Sequence, residues 1–158
     1  MFDVANWLCG TPERVLAAAL PAPAGVPTVE SASVTISYAD GSLATVHYSG
    51  AGAAAMPKER VEVLRGGRSW VLDDFLTLTG YDADGERADT DKRQDKGHAA
   101  LLQSVLAAAR GEAAFEPGLQ AAYAAQSVAL AALDSIAAAR AVGVVLPPPR
   151  GERSPATT

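Results

Sequence analysis

The stretch Ser33–Tyr48, SVTISYADGSLATVHY, decides the fold class. Val34, Ile36 and Tyr38 alternate with Ser33, Thr35 and Ser37, the period-two pattern of a strand with one apolar face. Asp40-Gly41 then supplies two residues tolerant of positive φ, which predicts a two-residue type I′ turn. Leu43–Tyr48 returns as the partner strand. That loop length sets the expected pairs: Tyr38 with Leu43, Ile36 with Thr45, and Val34 with His47. Thr35, Val46 and Tyr48 are then expected on the opposite face.

Working outward toward the N-terminus, Phe2, Val4, Trp7 and Leu8 recur at near-helical intervals. Gly10 stands where a helix ends and Pro12 bars continuation, so Phe2–Leu8 is a short amphipathic helix. Arg14–Leu20 is expected as a strand, and Pro21, Pro23, Gly25 and Pro27 as a loop, because proline removes backbone donors. Toward the C-terminus, Ala51–Met56 is a loop closed by Pro57. Strands are expected at Arg60–Leu64, Ser69–Phe75 and Leu76–Tyr81, with turns at Gly66-Gly67 and Asp82–Gly85. Glu86–Gln94 is charged and exposed, with a short edge strand expected at its end. From Asp95 the period changes, with Leu101, Leu102, Val105, Leu106 and Ala109 along one helical stripe that Gly111 stops. Asp95 is placed as the N-cap, accepting from the N–H groups of Gly97 and His98. Pro117 opens the last helix, with Leu119, Tyr123, Gln126, Leu130, Leu133 and Ala137 on its expected face, and Gly143 ends it.

A block of strands followed by helices predicts an α+β fold: a mostly antiparallel open sheet with helices packed on one face. The 158 residues fit one domain, placed at residues 1–143, with a disordered tail at 144–158. A hydrophobic fraction of 49% excludes disorder of the whole chain. A net charge of −5 without a basic run excludes a general nucleic-acid binder. One cysteine, Cys9, and two histidines, His47 and His98, are too few for a structural metal site. Asp3 stands where a secretion signal carries Lys or Arg, and no long uninterrupted apolar run appears. A cytoplasmic protein without membrane partners is expected. Of 13 basic residues only Lys58, Lys92 and Lys96 are lysines, a bias associated with GC-rich bacterial genomes.

The chemistry-bearing residues are few. Gly50-Ala51-Gly52 and Gly66-Gly67 precede no helical pattern, so neither makes a dinucleotide-binding turn. Asp73-Asp74 reads as a solvated strand end, since adjacent strand residues point to opposite faces. His47 reads as a hydrogen-bonded, half-buried strand histidine with a general base as the alternative, and Trp7 and Trp70 as core residues. His98, in Asp95-Lys96-Gly97-His98 at a helix start, is either part of an anion-binding terminus or of ordinary capping. No catalytic constellation emerges.

Several motifs in order resemble the C-terminal domain of the glucose–fructose oxidoreductase/inositol dehydrogenase (Gfo/Idh/MocA) family. They are Phe2-Asp3-Val4 through Trp7-Leu8-Cys9-Gly10, the Tyr38–Ser42 hairpin with Val46-His47-Tyr48, Pro57–Val63, Asp73-Asp74-Phe75 and Arg93–His98. The last of these resemble a subgroup in which the module follows an alcohol-dehydrogenase-like half. The resemblance implies a two-domain NAD(P)-dependent oxidoreductase acting on a sugar, cyclitol or related secondary alcohol. It implies that a Rossmann domain holds the cofactor and a motif lysine. This chain would supply the substrate wall and a sheet face for homo-oligomers. The family's His-x-x-Asp pattern matches here only at Asp3, because the histidine would lie before Met1. Asp3 and His98 are the candidate substrate-binding residues; no catalytic, cofactor or metal residue is assigned. The chain is expected to be inactive alone, as the C-terminal half of such an enzyme. A stand-alone binding or scaffold module is the alternative.

Overall fold

The computed structural model describes residues 1–21, 29–91 and 93–147. The loop residues Pro23, Gly25 and Pro27, and the tail from Pro148, lie outside the described residues. In chain order the elements are α1 (Phe2–Cys9), β1 (Pro12–Ala19), β2 (Ser31–Tyr38), β3 (Leu43–Ser49), β4 (Arg60–Arg65), β5 (Arg68–Asp73), β6 (Thr77–Asp82), β7 (Gly85–Thr90), α2 (His98–Ala109), α3 (Gly118–Ala138) and β8 (Val142–Gly143). The fold is α+β, and every described strand pairing is antiparallel. The strands form two four-stranded sheets, ordered β3-β2-β1-β8 and β4-β5-β6-β7. The chain divides into two compact units: Met1–Ala51 with the segment from Pro117 onward, and Gly52–Glu116.

In the first unit, one face of the β3-β2-β1-β8 sheet is covered by α1 and α3. Val15 and Ala17 of β1, Val34, Ile36 and Tyr38 of β2, Val128, Ala131 and Ala132 of α3, and Ala5 of α1 form the buried core. The strand alternation puts Val34, Ile36 and Tyr38 inside, as their spacing requires. The buried face of α3 is Val128, Ala131, Ala132 and Ser135, at helical spacing. This corrects the expected face: Leu119, Tyr123, Gln126, Leu130, Leu133 and Ala137 all stand exposed. The reason is closeness of approach. Alanine and serine let the helix backbone lie near enough to β1 for a side chain to reach a strand amide. The fully buried Ser135 Oγ accepts from the Ala17 N–H at 2.9 Å and donates to the Arg140 carbonyl at 2.6 Å. β8 pairs with β1 only at Arg14 and Val15, so beyond it the β1 edge takes its partner from α3. By length and mean hydropathy (1.3) the 21 residues of α3 could also cross a membrane. Here its Val128–Ser135 face packs on β1 instead.

α1 is fixed to the same face by Tyr38, whose hydroxyl donates to Asn6 Oδ1 at 3.1 Å. Tyr38 is 3% exposed. Burial, with a smaller contribution from nearby Cys9, pushes its phenol up to about 12. Gly10 ends α1 with a φ of 88°, as its position in the sequence predicts.

The hairpin register differs from expectation by one residue. Val34 pairs with Val46, Ile36 with Ala44, Thr35 with Thr45 and Ser33 with His47. Asp40 does not adopt positive φ, so the loop is Ala39–Gly41, three residues with only Gly41 left-handed, at φ 85°. Tyr38 N–H bonds the Ser42 carbonyl and Gly41 N–H the Tyr38 carbonyl, both at 3.0 Å. Asp40 Oδ1 accepts from the Ser42 N–H at 2.9 Å, a bond available to this loop's geometry. The shift places Ala44, Val46 and Tyr48 on the core-side face and moves the exposed His47 to the outer one, correcting both its expected partner and its expected half-burial.

The second unit is the β4-β5-β6-β7 meander followed by α2. Gly66 and Gly67, at φ 57° and 75°, make the two-residue turn that pairs Arg65 with Arg68. All of β7 is exposed at the sheet edge. α2 buries none of its residues, and Thr79 is the single buried residue among those described in this unit.

Replacing Ser135 with alanine takes the acceptor from the buried Ala17 N–H and the donor from the Arg140 carbonyl, and we expect a loss of about 2 kcal/mol. Leu130→Ala, at a side chain 54% exposed, is expected to change stability by less than about 0.5 kcal/mol. Urea unfolding of both variants checks this; a larger loss for Leu130→Ala would show that the outward stripe is the packed face.

Candidate functional site

Three segments of the second unit that are far apart in sequence meet at the turn from β5 to β6. The turn residues Asp74 and Phe75 have φ values of 53° and 52°. Left-handed backbone at residues with a Cβ costs on the order of 1–3 kcal/mol each and persists where its surroundings enforce it. Those surroundings are explicit here. Leu76 N–H closes the turn on the Asp73 carbonyl at 2.9 Å, and Asp74 N–H bonds the Glu59 carbonyl at 2.6 Å. Gln94 Nε2 donates to the Asp74 carbonyl at 2.7 Å. Asp95 N–H reaches the Phe75 carbonyl at 3.4 Å. Lys96 Nζ then ties back to Glu59 Oε1 at 2.7 Å. The Lys96 hydrogen bond and charge outweigh desolvation and hold the Glu59 carboxyl below its ordinary value.

Asp73-Asp74 is therefore not a plain solvated strand end. Asp73 Oδ1 accepts from Arg60 Nη1 at 2.7 Å across the ladder, while Asp74 opens the strained turn. Asp95 is not the N-cap of α2. Gly97 is, with φ 75° and no side-chain cap, and Asp95 Oδ1 bonds only the Gly97 N–H, at 2.7 Å. The left-handed glycine starts the helix at His98, beyond reach of an Asp95 cap.

His98 is the exposed first residue of α2. Asp3 lies in the first turn of α1, 69% exposed, 3.1 Å from the Met1 amino group. Burial raises its pKa, but hydrogen bonding and charge from that amino group, with the N–H groups of Val4 and Asp3, bring it below the ordinary value. Asp3 and His98 thus belong to different units. Trp7 is 83% exposed, correcting its expected place in the core; Ala5, Phe2 and Cys9 turn the other side of α1 inward. Trp70 is half-buried. The residues that sequence reasoning missed are Glu59, Gln94 and Lys96. Their segments, Pro57–Val63 and Arg93–His98, were marked by the resemblance, but nothing in the local pattern brings them to Asp74-Phe75.

Among the described residues no group of three His, Cys, Asp or Glu side chains could hold a metal ion. Neither glycine cluster opens a helix. Gly66-Gly67 joins β4 to β5, and Gly50 and Gly52 lie in the turns after β3. Neither cluster therefore forms the glycine-rich strand–turn–helix that holds a dinucleotide's pyrophosphate. What this unit offers is polar groups on a rigid turn, suited to hydrogen bonding.

No known family profile matches the sequence, and no curated protein matches it. Solved structures do match the fold. An oxidoreductase from Agrobacterium radiobacter, in complex with NAD+, L-tartaric acid and magnesium, is similar with TM-score 0.76 at 14% identity. That likeness covers 90% of this chain and 46% of the other. UDP-N-acetylglucosamine 3-dehydrogenase from Acidithiobacillus ferrooxidans is similar with TM-score 0.68 at 22% identity, over 88% and 44%. The WlbA dehydrogenase from Bordetella pertussis, in complex with NADH and UDP-GlcNAcA, has TM-score 0.61 at 15% identity, over 92% and 43%. The chain thus spans a little under half the length of each of these oxidoreductases.

The lowered pKa of Glu59 gives stability that is present above the unfolded value near 4.5 and lost as the pH falls through the folded value. Lys96→Met should therefore be less stable than wild type at pH 7, with the difference vanishing in acid. Urea midpoints across that range test it; a difference that persists undiminished below both values would show that Lys96 acts by packing.

Proposed function

We propose that this chain is the C-terminal, substrate-binding and oligomerisation half of an NAD(P)-dependent oxidoreductase acting on a sugar, cyclitol or related secondary alcohol. The observation that carries the reading is the coverage: about nine-tenths of this chain matches less than half of each oxidoreductase named above. In this reading the dinucleotide and the hydride chemistry belong to a Rossmann-type half, and this chain shapes the substrate's surroundings. Asp3 takes the place of the Asp in the His-x-x-Asp pattern, and His98 is a substrate-binding residue of the second unit. Homo-oligomers form through the outer face of the β3-β2-β1-β8 sheet, where Leu16 and Leu43 are exposed. The complete protein works in the bacterial cytoplasm.

Titrating NADH while following tryptophan fluorescence tests the division of labour. The chain alone should show no saturation and no dehydrogenase turnover. Saturable binding at low micromolar NADH would overturn the half-enzyme reading. So would DNA around the Met1 codon that encodes no glycine-rich strand–turn–helix, in frame or adjacent, and would leave the stand-alone binding module in its place.

A further inference from the structure

The β4-β5-β6-β7 sheet holds a shallow groove away from the Asp74-Phe75 turn. Its register sets Trp70 of β5 beside Gly80 of β6, and Gly80 beside Arg87 of β7, in one row on one face. Leu72, Leu78 and Asp89 form the next row on that face. Gly80 leaves a bed for the indole: a Cβ there would lie 3.5 Å from Trp70 Cδ1 and 3.7 Å from Nε1. The indole therefore lies over the strand backbone. With Arg68 and Asp82 at its end, the groove over Trp70, Leu78, Gly80, Arg87 and Asp89 is open to solvent on one side and offers about 270 Å³. Arg87 is held in place, Nη1 3.1 Å from Asp82 Oδ2 and Nη2 3.9 Å from Asp84 Oδ2.

Three properties select the ligand. The volume is just below the roughly 300–1,000 Å³ of drug-sized ligand sites, which is room for one ring. The charges alternate, Arg68 and Arg87 against Asp82 and Asp89, so the groove has no net attraction for phosphate. The floor is aromatic and the rim is polar, with donors and acceptors both present. A pyranose or cyclitol ring has the matching form: an apolar C–H face that stacks on an indole and a rim of hydroxyls that both donate and accept. We propose that the Trp70 groove is a binding site for one neutral sugar or cyclitol ring, stacked on the indole and held at its edge by Arg87, Asp82 and Asp89. This holds whether or not the chain belongs to an oxidoreductase.

The chain's two tryptophans make the test internal. Indole N–H resonances of the 15N-labelled full chain are followed while myo-inositol or methyl α-D-glucoside is added to tens of millimolar. The Trp70 resonance should shift saturably and that of Trp7 should stay. Asp89→Asn, an exposed position on β7, should weaken the response several-fold with the fold intact. The proposal is overturned by a Trp70 resonance that does not move with either compound. Equal shifts at both indoles, or a stronger response to inorganic phosphate, overturn it too. A Trp70 shift that follows protein concentration without sugar would show instead that a second copy of the chain covers the groove.

Discussion

One hydroxyl sets the terms of the first unit. Beyond the short β8, the edge of β1 presents the Ala17 N–H to the interior, where an unpaired amide is costly. Ser135 satisfies it and donates its own hydroxyl hydrogen bond to the Arg140 carbonyl just past the helix. A serine side chain reaches a strand amide only if the helix lies close, so its neighbours Val128, Ala131 and Ala132 must be compact. The larger Leu119, Tyr123, Leu130 and Leu133 are then left on the outer side. The same constraint turns Val15, Ala17, Val34 and Ile36 toward the helix and, through Tyr38 and Asn6, seats α1 on the remaining part of that face.

The strands β1 to β7 were legible in their order because alternation and Gly/Pro punctuation are local signals; β8 was not, since Gly143 was expected to end a helix that stops at Ala138. The face of α3 was not. Periodicity favours the stripe with the largest apolar side chains, while burial here follows closeness of approach to β1. The hairpin register was missed for a comparable reason: Asp-Gly suits a two-residue turn, yet the Asp40–Ser42 bonds favour three, and one residue reverses every neighbour. Of the site, the segments were legible and their meeting was not. Glu59, Asp74 and Lys96 are brought together by strand pairing and a strained turn, which no spacing in the sequence encodes.

The two units differ in what holds them. The first has an apolar core; the second has strand pairing, ion pairs and a helix with no buried residue. Backbone ladders and surface ion pairs contribute less stability than buried area. A unit of that kind suits a surface that presents side chains, as the Trp70 row and the Asp74-Phe75 turn both do.

Amide hydrogen exchange, read residue by residue, tests most directly whether the Ser135 contact organises the fold. The Ala17 amide should be among the slowest to exchange, together with Val15 and Ile36, while the amides of α2 exchange fast. In Ser135→Ala, Ala17 should lose more protection than Val34, because it alone loses its acceptor. An Ala17 amide that exchanges as fast as α2 in the wild-type chain would contradict the account.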